Sequence, residues 1–99
     1  MILEVAILDV IEGLTDNFEK NFNEASNIIS SMQGYCGHEL QKCFENPNRY
    51  ILLVRWDKIE DHTIGFRQSK EYLEWKELLH KFYDPFPTVE HYQLIYENS

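Results

Sequence analysis

The apolar residues in the first third of the chain change their spacing once, and the change separates a strand from a helix. Leu3–Val10 is a short apolar run rich in β-branched residues that ends before Glu12–Gly13, which predicts a strand. Apolar residues then recur every three or four positions, as on one face of an amphipathic helix: Leu14, Phe18, Phe22, Ala25, Ile29 and Met32. Thr15 or Asp16 is predicted to cap the start of this helix, and Gly34 its end.

Two strand-like segments follow, and a turn separates them. Tyr35–Phe44 and Tyr50–Trp56 flank Glu45–Asn48, whose Asn and Pro residues favour a turn, so the sequence predicts a β-hairpin. Cys36 and Cys43 fall in the first of these strands, roughly 23 Å apart at ~3.3 Å per residue, too far for a disulfide bond between them. We therefore expect two free thiols, which fits a reducing cytoplasm.

The last third of the chain predicts two helices and a strand. Asp57 is predicted to cap a short helix that carries His62 and Phe66 one turn apart. Ser69 is predicted to cap a second helix, which ends at the Asp-Pro-Phe-Pro turn. The apolar and aromatic positions of this second helix are Tyr72, Trp75, Leu78, Leu79 and Phe82. Val89–Tyr96 predicts the final strand.

The resulting order of elements is β-α-β-β-α-β. This is the order of the ferredoxin-like α+β fold, in which two helices pack on one face of a four-stranded antiparallel sheet, and we expect residues 1–99 to form a single domain. A sheet with one face in water alternates apolar and polar residues, whereas Tyr50–Val54 is apolar on both faces and Val5–Leu8 nearly so. Because no other segment is free to cover the second face, the sequence predicts a homodimer packed sheet to sheet.

The charge of the chain argues against several classes of partner. Seventeen acidic and nine basic residues give a formal net charge of −8 at pH 7. Such a charge repels phosphate backbones and anionic lipid surfaces, so neither nucleic acid nor a membrane is an expected partner. No apolar run approaches the ~20 residues that cross a bilayer, and no secretory signal is evident. We therefore expect a cytoplasmic protein.

Four pieces of the sequence, taken in their order and spacing, are similar to the antibiotic biosynthesis monooxygenase family. They are Gly34–Tyr35 after the first helix, the strand Tyr50–Trp56, Gly65–Ser69 at the end of the short helix, and Val89–Tyr92 near the end of the chain. The resemblance covers essentially the whole chain and implies a dimeric α+β barrel. The superfamily of that name includes cofactor-free oxygenases of quinols and polycyclic aromatics, haem-degrading enzymes, and many small proteins of unknown role.

The haem-degrading branch differs from this chain in the residues that it uses for haem. In that branch, a histidine about ten residues beyond the tryptophan that ends the third strand binds iron; counted from Trp56, this position holds Phe66. The branch also uses an asparagine on the first strand, and residues 2–10 contain none. The resemblance therefore argues against haem, and no cofactor is expected. His62, one turn earlier on the same helix, is the alternative iron ligand, although it would approach from a different height.

His62 and Arg67, in and just after the short helix, are the predicted catalytic residues. A neutral histidine can accept the proton of a phenolic or quinol hydroxyl, the step that lets an electron-rich aromatic anion react with O2. The guanidinium of Arg67 keeps its charge in any pocket and could stabilise that anion. Each residue has a structural alternative, since His62 could lie on the helix surface beside Asp61, and Arg67 could pair with Glu71.

Aromatic residues that point between the sheet and the helices are predicted to line a cavity for a small aromatic substrate. The predicted substrate-binding residues are Trp56, Phe66, Tyr72, Trp75, His38, Tyr83 and His91. Aromatic side chains at helical spacing more often fill a core than bind a ligand, so packing is the alternative, most of all for Tyr72. Tyr83 is expected at the cavity mouth, whereas His80, on the polar side of its helix, is expected in solvent.

His38 and His91 fall on the second and fourth predicted strands. Alternation places His38 on the same face as Leu40, so we expect it to point inward, where a hydrogen-bonded core histidine is the alternative to a ligand-binding one. Together with His62 these histidines could bind zinc or iron, but no paired ligand spacing such as H-x-H supports a site, and no metal is expected.

Two functions are consistent with these features. The first is a cofactor-independent monooxygenase that acts on a small aromatic or quinol-like substrate. The second is a non-catalytic dimeric module of the same fold that binds a small ligand or serves in a stress response, and Phe66 in place of the histidine favours it. An open aromatic cavity beside His62 would favour the enzyme, and an interior filled by side chains would favour the module.

Overall fold

A computed structural model describes all residues from Met1 to Ser99, and its elements follow the predicted order. They are β1 (Ile2–Asp9), α1 (Thr15–Ile29), β2 (Tyr35–Lys42), β3 (Arg49–Trp56), a short π-helix (Asp61–Phe66), α2 (Lys70–Leu79), one turn of 3₁₀-helix (His80–Phe82) and β4 (Val89–Gln93). The strands form one sheet in the order β2-β3-β1-β4, and every neighbouring pair is antiparallel. The predicted ferredoxin-like α+β fold is confirmed.

The hydrophobic core lies between the sheet and its two helices. Alternate residues of β1 and β3 are buried because a strand points successive side chains to opposite faces, and these are Glu4, Ala6, Leu8, Tyr50, Leu52, Val54 and Trp56. The predicted apolar stripe of α1 packs onto this face: Phe18, Phe22, Ala25 and Ile29 are buried. Leu14 and Met32, at the two ends of the stripe, are partly buried against the core.

The ends of α1 differ from the prediction. Leu14, rather than Thr15 or Asp16, takes the N-cap position, and no side chain accepts a hydrogen bond there. The carbonyl of Leu14 accepts the first helical hydrogen bond, from the amide of Phe18 at 2.9 Å, while its side chain packs on the core. Apolar packing therefore sets the start of the helix in place of a polar cap. The helix ends at Ile29, so Gly34 lies beyond it instead of capping it.

Gly34 has another role, in the turn that leads into β2. Its φ of +83° lies in the left-handed region, which favours glycine. A Cβ at this position would lie 2.1 Å from a carboxylate oxygen of Asp61. The carbonyl of Gly34 also accepts a hydrogen bond from the amide of Asp57, at 2.8 Å. The hydrogen bond to Asp57 and the close approach of Asp61 to the glycine place the start of the short helix against this turn.

Both the hairpin strand β2 and the final strand are shorter than predicted. β2 ends at Lys42 because the chain turns at Cys43, and Phe44 is 98% exposed. β4 ends at Gln93 because Gln93 pairs with Ile2, the first residue of β1. Beyond this point the predicted strand residues 94–96 have no partner strand in the protomer, and Leu94, Ile95 and Tyr96 are exposed.

The helical segment after β3 is a π-helix, and Asp57 does not cap it as predicted. The amide of Arg67 donates to the carbonyl of His62, five residues earlier, at 3.0 Å. This segment turns both His62 and Phe66 into the interior. Ser69 caps α2 as predicted, since its Oγ accepts from the amide of Tyr72 at 3.1 Å.

Two predictions about chemistry and topology also have outcomes in the fold. Cys36 and Cys43 are free, as predicted from their separation. None of the helices has both the length and the apolar character that a membrane crossing requires.

The C-terminal end of α2 differs from the prediction. The helix that begins at Ser69 was predicted to reach Phe82, but α2 ends at Leu79 and a tighter 3₁₀ turn carries the chain to Phe82.

Candidate functional site

A buried carboxylate, an indole and an imidazole meet on the helix-covered face of the sheet. Glu4 of β1 is 6% exposed, and its Oε1 accepts a hydrogen bond of 2.9 Å from the indole Nε1–H of Trp56. Nε2 of His62 lies 3.4 Å from the same Oε1 atom. The rings of Trp56 and His62 stack at 5.6 Å between centroids and 23° between planes. The carboxylate thus accepts a hydrogen bond from β3 and lies beside a ring nitrogen from the π-helix.

His91 of β4 extends this cluster. Its position follows from the register, because His91 pairs with Glu4 across β1 and β4. Nε2 of His91 lies 2.7 Å from Nδ1 of His62, which is hydrogen-bond distance. The imidazole of His62 therefore lies between a carboxylate on one nitrogen and a second imidazole on the other.

Burial shifts the pKa values of all three groups toward their uncharged forms. Desolvation raises the pKa of Glu4, against the opposing hydrogen bond from Trp56 and the charge of Arg67. Desolvation lowers the pKa of His62 to about 3, and the charge of Arg67 and the charge that His91 carries when protonated act in the same direction. The pKa of His91 is lowered by the same two causes, burial and Arg67. At neutral pH both imidazoles are uncharged.

A small cavity of about 30 Å³ adjoins this cluster, between the sheet, the π-helix and α2. Its polar wall residues are Glu4, His62, Arg67, Tyr72, His80 and Tyr83. The apolar part of the wall includes Leu52, Phe66, Trp75 and Phe86. A single water needs ~10–15 Å³, whereas sites for small organic ligands usually measure ~300–1,000 Å³. In this conformation the cavity holds little more than water.

A wider groove of about 640 Å³ runs between α1 and α2 on the outer surface. Its polar wall consists of Glu24, Asn27, Glu74 and Glu77, and it contains no histidine, arginine or tyrosine. The groove is open to water along its length, so nothing in it holds a base or a cation away from solvent. The interior cavity is the better candidate for chemistry.

The predicted catalytic residues His62 and Arg67 both line the cavity. His62 is 2% exposed, so it is not the helix-surface residue of the structural alternative. Arg67 forms none of the ion pairs of the protein, which join Lys42 to Glu19, Arg49 to Asp9 and Arg55 to Glu39. The alternative pairing of Arg67 with Glu71 is therefore not formed.

The predicted substrate-binding residues divide into two groups. Phe66, Tyr72, Trp75 and Tyr83 line the cavity. Phe66 is at the centre of this aromatic wall, with Tyr72 and Trp75 packed edge to face on it at centroid distances of 5.3 and 5.6 Å. Trp56, His38 and His91 lie outside the cavity wall, although Trp56 and His91 reach it indirectly through Glu4 and His62.

His38 points inward, as alternation along the strand predicts, but it does not reach the cavity. Its Nε2 lies 2.6 Å from Oγ of Ser26 on α1, and its Nδ1 is hydrogen-bonded to the hydroxyl of Tyr35. It is thus a hydrogen-bonded core histidine between β2 and α1. His38 therefore does not converge with His62 and His91, and the three do not form the metal site considered from the sequence.

One residue at the cavity, His80, has a different environment from the one that the sequence indicates. His80, expected in solvent, is half-buried between aromatic rings, with centroids 4.9 Å from Phe86 and 5.9 Å from Tyr72. Burial lowers the pKa of His80 to about 4, and the charges of Lys76 and Arg67 add to the effect. His80 is the C-cap of α2 and continues its helical path, and this places the ring at the cavity wall.

Glu4 is the candidate site residue that the sequence did not lead us to expect. It interrupts the apolar strand β1, and it shares the inward face with Ala6 and Leu8 because these positions are two residues apart. One feature of the sequence could have identified it: Glu4 is a lone acidic residue on the inward face of a strand, and carboxylates are almost never buried without a partner. The partners, Trp56 and His62, are more than fifty residues away in sequence.

Comparison with known proteins agrees with this architecture. The profile of the antibiotic biosynthesis monooxygenase family matches residues 1–78. An uncharacterized protein of Bacillus subtilis strain 168, YczJ, is 57% identical over 93 residues, which are 94% of this chain and 98% of that protein.

Solved structures show the same fold. A Bordetella bronchiseptica protein assigned as an antibiotic biosynthesis monooxygenase superposes with a TM-score of 0.92 at 32% identity, over 96% of this chain and 97% of the other. SnoaB, a cofactor-independent oxygenase from Streptomyces nogalater, superposes with a TM-score of 0.76 at 17% identity, over 99% of this chain and 94% of SnoaB, and shares the fold alone. The sequence match and the superposition together show that the chain belongs to the antibiotic biosynthesis monooxygenase family.

Proposed function

We propose that this protein is a cofactor-independent monooxygenase that oxidises a small phenolic or quinol-like aromatic compound in the cavity beside Glu4 and His62. The observation that carries the proposal is the buried contact between the Glu4 carboxylate and the His62 imidazole at the wall of an aromatic cavity. A protein that only needed a packed core would be more stable with apolar residues at these positions. Membership of a family that includes oxygenases without cofactors supports the same reading.

The first step of the proposed reaction is removal of a proton from the substrate hydroxyl. His62 alone is a weak base, because its pKa is lowered to about 3. Glu4 is a stronger base than an ordinary carboxylate, because burial raises its pKa. We therefore assign proton acceptance to the Glu4–His62 pair: the carboxylate is the acceptor, Trp56 holds it in position by a hydrogen bond, and Nε2 of His62 lies beside it.

The second step is reaction of the electron-rich substrate anion with O2. One oxygen atom enters the ring system, the other leaves as water, and the four electrons come from the substrate itself. One hydrogen of the water comes from the substrate anion, and the other is a proton that returns from solvent to balance the one released in the first step. The guanidinium of Arg67 stabilises the aromatic anion, since it lines the cavity and is not committed to a carboxylate of the protein.

Substrate entry requires part of the cavity wall to move, because about 30 Å³ is far below the size of an aromatic molecule. Phe86 and Pro87 form the outer part of the wall, and Phe86 is 62% exposed, with His80 as its aromatic neighbour. The core residues around it are far more buried. Displacement of this segment is the opening that would remove the fewest contacts.

The proposed active form is the homodimer predicted from the two-sided sheet. On the face away from the helices, Leu3, Val5, Ile7, Ile51 and Leu53 are apolar and only partly covered within the protomer. Burying such side chains against a second copy is worth ~1.5–3 kcal/mol each before entropy is counted. The exposed apolar residues 94–96 lie at the end of the same sheet and add to the surface that a partner could cover.

Oxygen consumption with a panel of substituted hydroquinones and naphthols tests the proposed activity. We expect Glu4→Gln to lower kcat by roughly 10²–10⁴, the range that general bases contribute. Glu24→Gln makes the same change on the exposed surface of α1 and should leave the rate unchanged. Oxygen uptake by the wild type with none of the panel, or equal uptake by wild type and Glu4→Gln, would contradict the proposal.

The small size of the cavity favours the second candidate function, a ligand-binding module without catalysis. Such a module would bind small phenols that raise its melting temperature without turning them over. A thermal-shift screen with the same aromatic panel, followed by product analysis of each compound that binds, separates the two functions. Binding without product supports the module, and binding with an oxygenated product supports the enzyme.

A further inference from the structure

Three ionisable side chains form a continuous chain of contacts from the cavity toward the edge of the sheet. Oε1 of Glu4 lies 3.4 Å from Nε2 of His62, and Nδ1 of His62 lies 2.7 Å from Nε2 of His91. The three residues come from β1, the π-helix and β4. Because each imidazole has a nitrogen on either side of its ring, a proton can enter at one nitrogen and leave from the other.

The two ends of this chain differ in their access to water. Glu4 and His62 line the cavity, whereas His91 does not. His91 lies on β4, an edge strand with β1 as its single neighbour, and it is only partly buried. Its Nδ1 makes no hydrogen bond within the protein, and no buried side-chain nitrogen or oxygen is left without a partner, so this atom is in contact with solvent.

We propose that His91 is the residue through which a proton accepted in the cavity by Glu4 and His62 is released to solvent. The proposal rests on the proposed oxygenase function, since the proton is that of the substrate hydroxyl. His91 does not touch the substrate and acts through His62, so it is a relay residue and not a catalytic one.

Each transfer in the relay breaks one bond to hydrogen as it forms the next. The substrate O–H bond breaks as the carboxyl O–H bond of Glu4 forms, and that bond breaks as the Nε2–H bond of His62 forms. The Nδ1–H bond of His62 then breaks as the Nε2–H bond of His91 forms, and the Nδ1 proton of His91 passes to water. The outward transfer moves one proton from substrate to solvent and leaves both rings in the opposite tautomer. When the second oxygen atom is reduced to water, a proton returns along the same path, which completes the water molecule and restores both tautomers.

A relay is needed because water has little access to the carboxylate. Glu4 is 6% exposed, the ring of Trp56 stacks on His62, and the cavity is only large enough for water when no substrate is present. The surroundings of the two histidines also favour passage of the proton to solvent over its retention on either ring. Burial and the charge of Arg67 hold the pKa of both His62 and His91 below the ordinary value, so a proton does not remain on either ring.

Chemical rescue of a relay variant tests the proposal in turnover. His91→Gln keeps a side chain that can hydrogen-bond to His62 but cannot pass a proton, and we expect kcat to fall by roughly tenfold or more with little change in KM. Free imidazole in the buffer should restore much of the rate. Tyr92→Phe, the next residue on β4 and on the opposite face, should match the wild type. An unchanged kcat in His91→Gln, or a loss that imidazole does not restore, would overturn the relay.

A second measurement needs no turnover, so it separates failure of the relay from failure of the proposed function. Nitrogen NMR of the resting protein follows exchange of the His62 ring proton with solvent. We expect this exchange to slow several-fold in His91→Gln and to remain unchanged in Tyr92→Phe. His91→Asn is the replacement if His91→Gln does not fold. Exchange at the wild-type rate in the folded variant would show that the proton leaves by another route, whether or not the protein consumes oxygen.

Discussion

At the scale of single residues, Glu4 is the most unusual feature of the molecule. A carboxylate taken out of water is destabilising unless hydrogen bonds replace its solvation. Here the indole N–H of Trp56 supplies one such hydrogen bond, and Nε2 of His62 lies 3.4 Å from the same oxygen. The same burial that makes Glu4 costly for folding raises its pKa and makes it a better base. Stability and reactivity at this position therefore have one physical cause.

The hydrogen bond from Trp56 to Glu4 can be tested by a substitution that removes the indole donor, with a second Trp→Phe change as the control for lost ring volume. Trp56→Phe keeps an aromatic ring against His62 but leaves the carboxylate without its indole donor, and we expect it to destabilise the fold by about 2–4 kcal/mol. Trp75→Phe is the matched control: Trp75 is also buried, but its indole makes no hydrogen bond within the protein, so its loss should be smaller. Urea unfolding gives both values, and equal losses would contradict a stabilising role for the hydrogen bond.

The buried histidines predict how stability depends on pH. Burial lowers the pKa of His62 to about 3 and of His80 to about 4, so the folded protein disfavours their protonation. Their contribution is complete above the unfolded value of ~6.5 and is lost as the pH falls from there toward the folded values, at up to about 1.4 kcal/mol per pH unit for each group. Glu4, whose pKa is raised, contributes in the opposite direction.

We therefore expect the melting temperature to fall as the pH is lowered from 7 to 4. A double variant, His62→Gln with His80→Gln, should show a shallower fall because neither position titrates. Thermal unfolding followed by circular dichroism at a series of pH values measures both slopes. A wild type whose melting temperature is the same at pH 7 and pH 4 would contradict this account.

At the scale of elements, the N-cap of α2 sets the positions of two residues in the cavity wall. Ser69 accepts a hydrogen bond from the amide of Tyr72 and donates one of 2.6 Å to the carbonyl of Phe66. One hydroxyl therefore joins the end of the π-helix to the first turn of α2. Since Phe66 and Tyr72 both line the cavity, the cap also fixes the distance between two of its walls.

Removal of this hydroxyl should weaken α2. We expect Ser69→Ala to lower the free energy of unfolding by about 1 kcal/mol, within the ~0.5–2 kcal/mol range of N-cap substitutions. Ser30→Ala changes an exposed serine at the end of α1, which makes a 3.3 Å hydrogen bond to the nearby carbonyl of Asn27, and should change stability by less than about 0.5 kcal/mol. Equal losses in chemical denaturation of the two variants would mean that the cap is not stabilising.

At the scale of the whole molecule, the sheet has one face that the protomer does not cover. The helices pack on the side of Ala6 and Leu52, and the opposite side presents Val5 beside Leu53. Half-buried apolar residues in a continuous patch indicate a surface that is covered in the assembled protein. The dimer proposed above would remove this patch from water and extend the core through the sheet.

A charge at the centre of this face should prevent association. We expect the wild type to sediment as a dimer at micromolar concentration, and Leu53→Glu to weaken the dimer by at least about 3 kcal/mol, more than a hundredfold in Kd. Leu73→Glu introduces the same charge at a position on α2 that is 64% exposed, and it should remain dimeric. A wild type that sediments as a monomer would remove the dimer from the proposal.

The sequence by itself determined the element order and the inward face of each long element. The spacing of Phe18, Phe22, Ala25 and Ile29 is a property of one helix and needs no knowledge of what it packs against. The same holds for the alternation in β3 and for Ser69 as a cap, which contacts residues three positions away. Family resemblance added His62 and Arg67 as cavity residues by their place in the order of elements.

Only the tertiary structure decided which of these residues meet. Glu4, His62 and His91 come together because β4 pairs with β1 in a register that sets His91 opposite Glu4, and because the π-helix returns His62 to the same face. Neither the register nor the path of that helix is encoded in any local spacing. The end of β4 at Gln93 and the burial of His80 have the same origin, since each depends on the partner that another part of the chain provides.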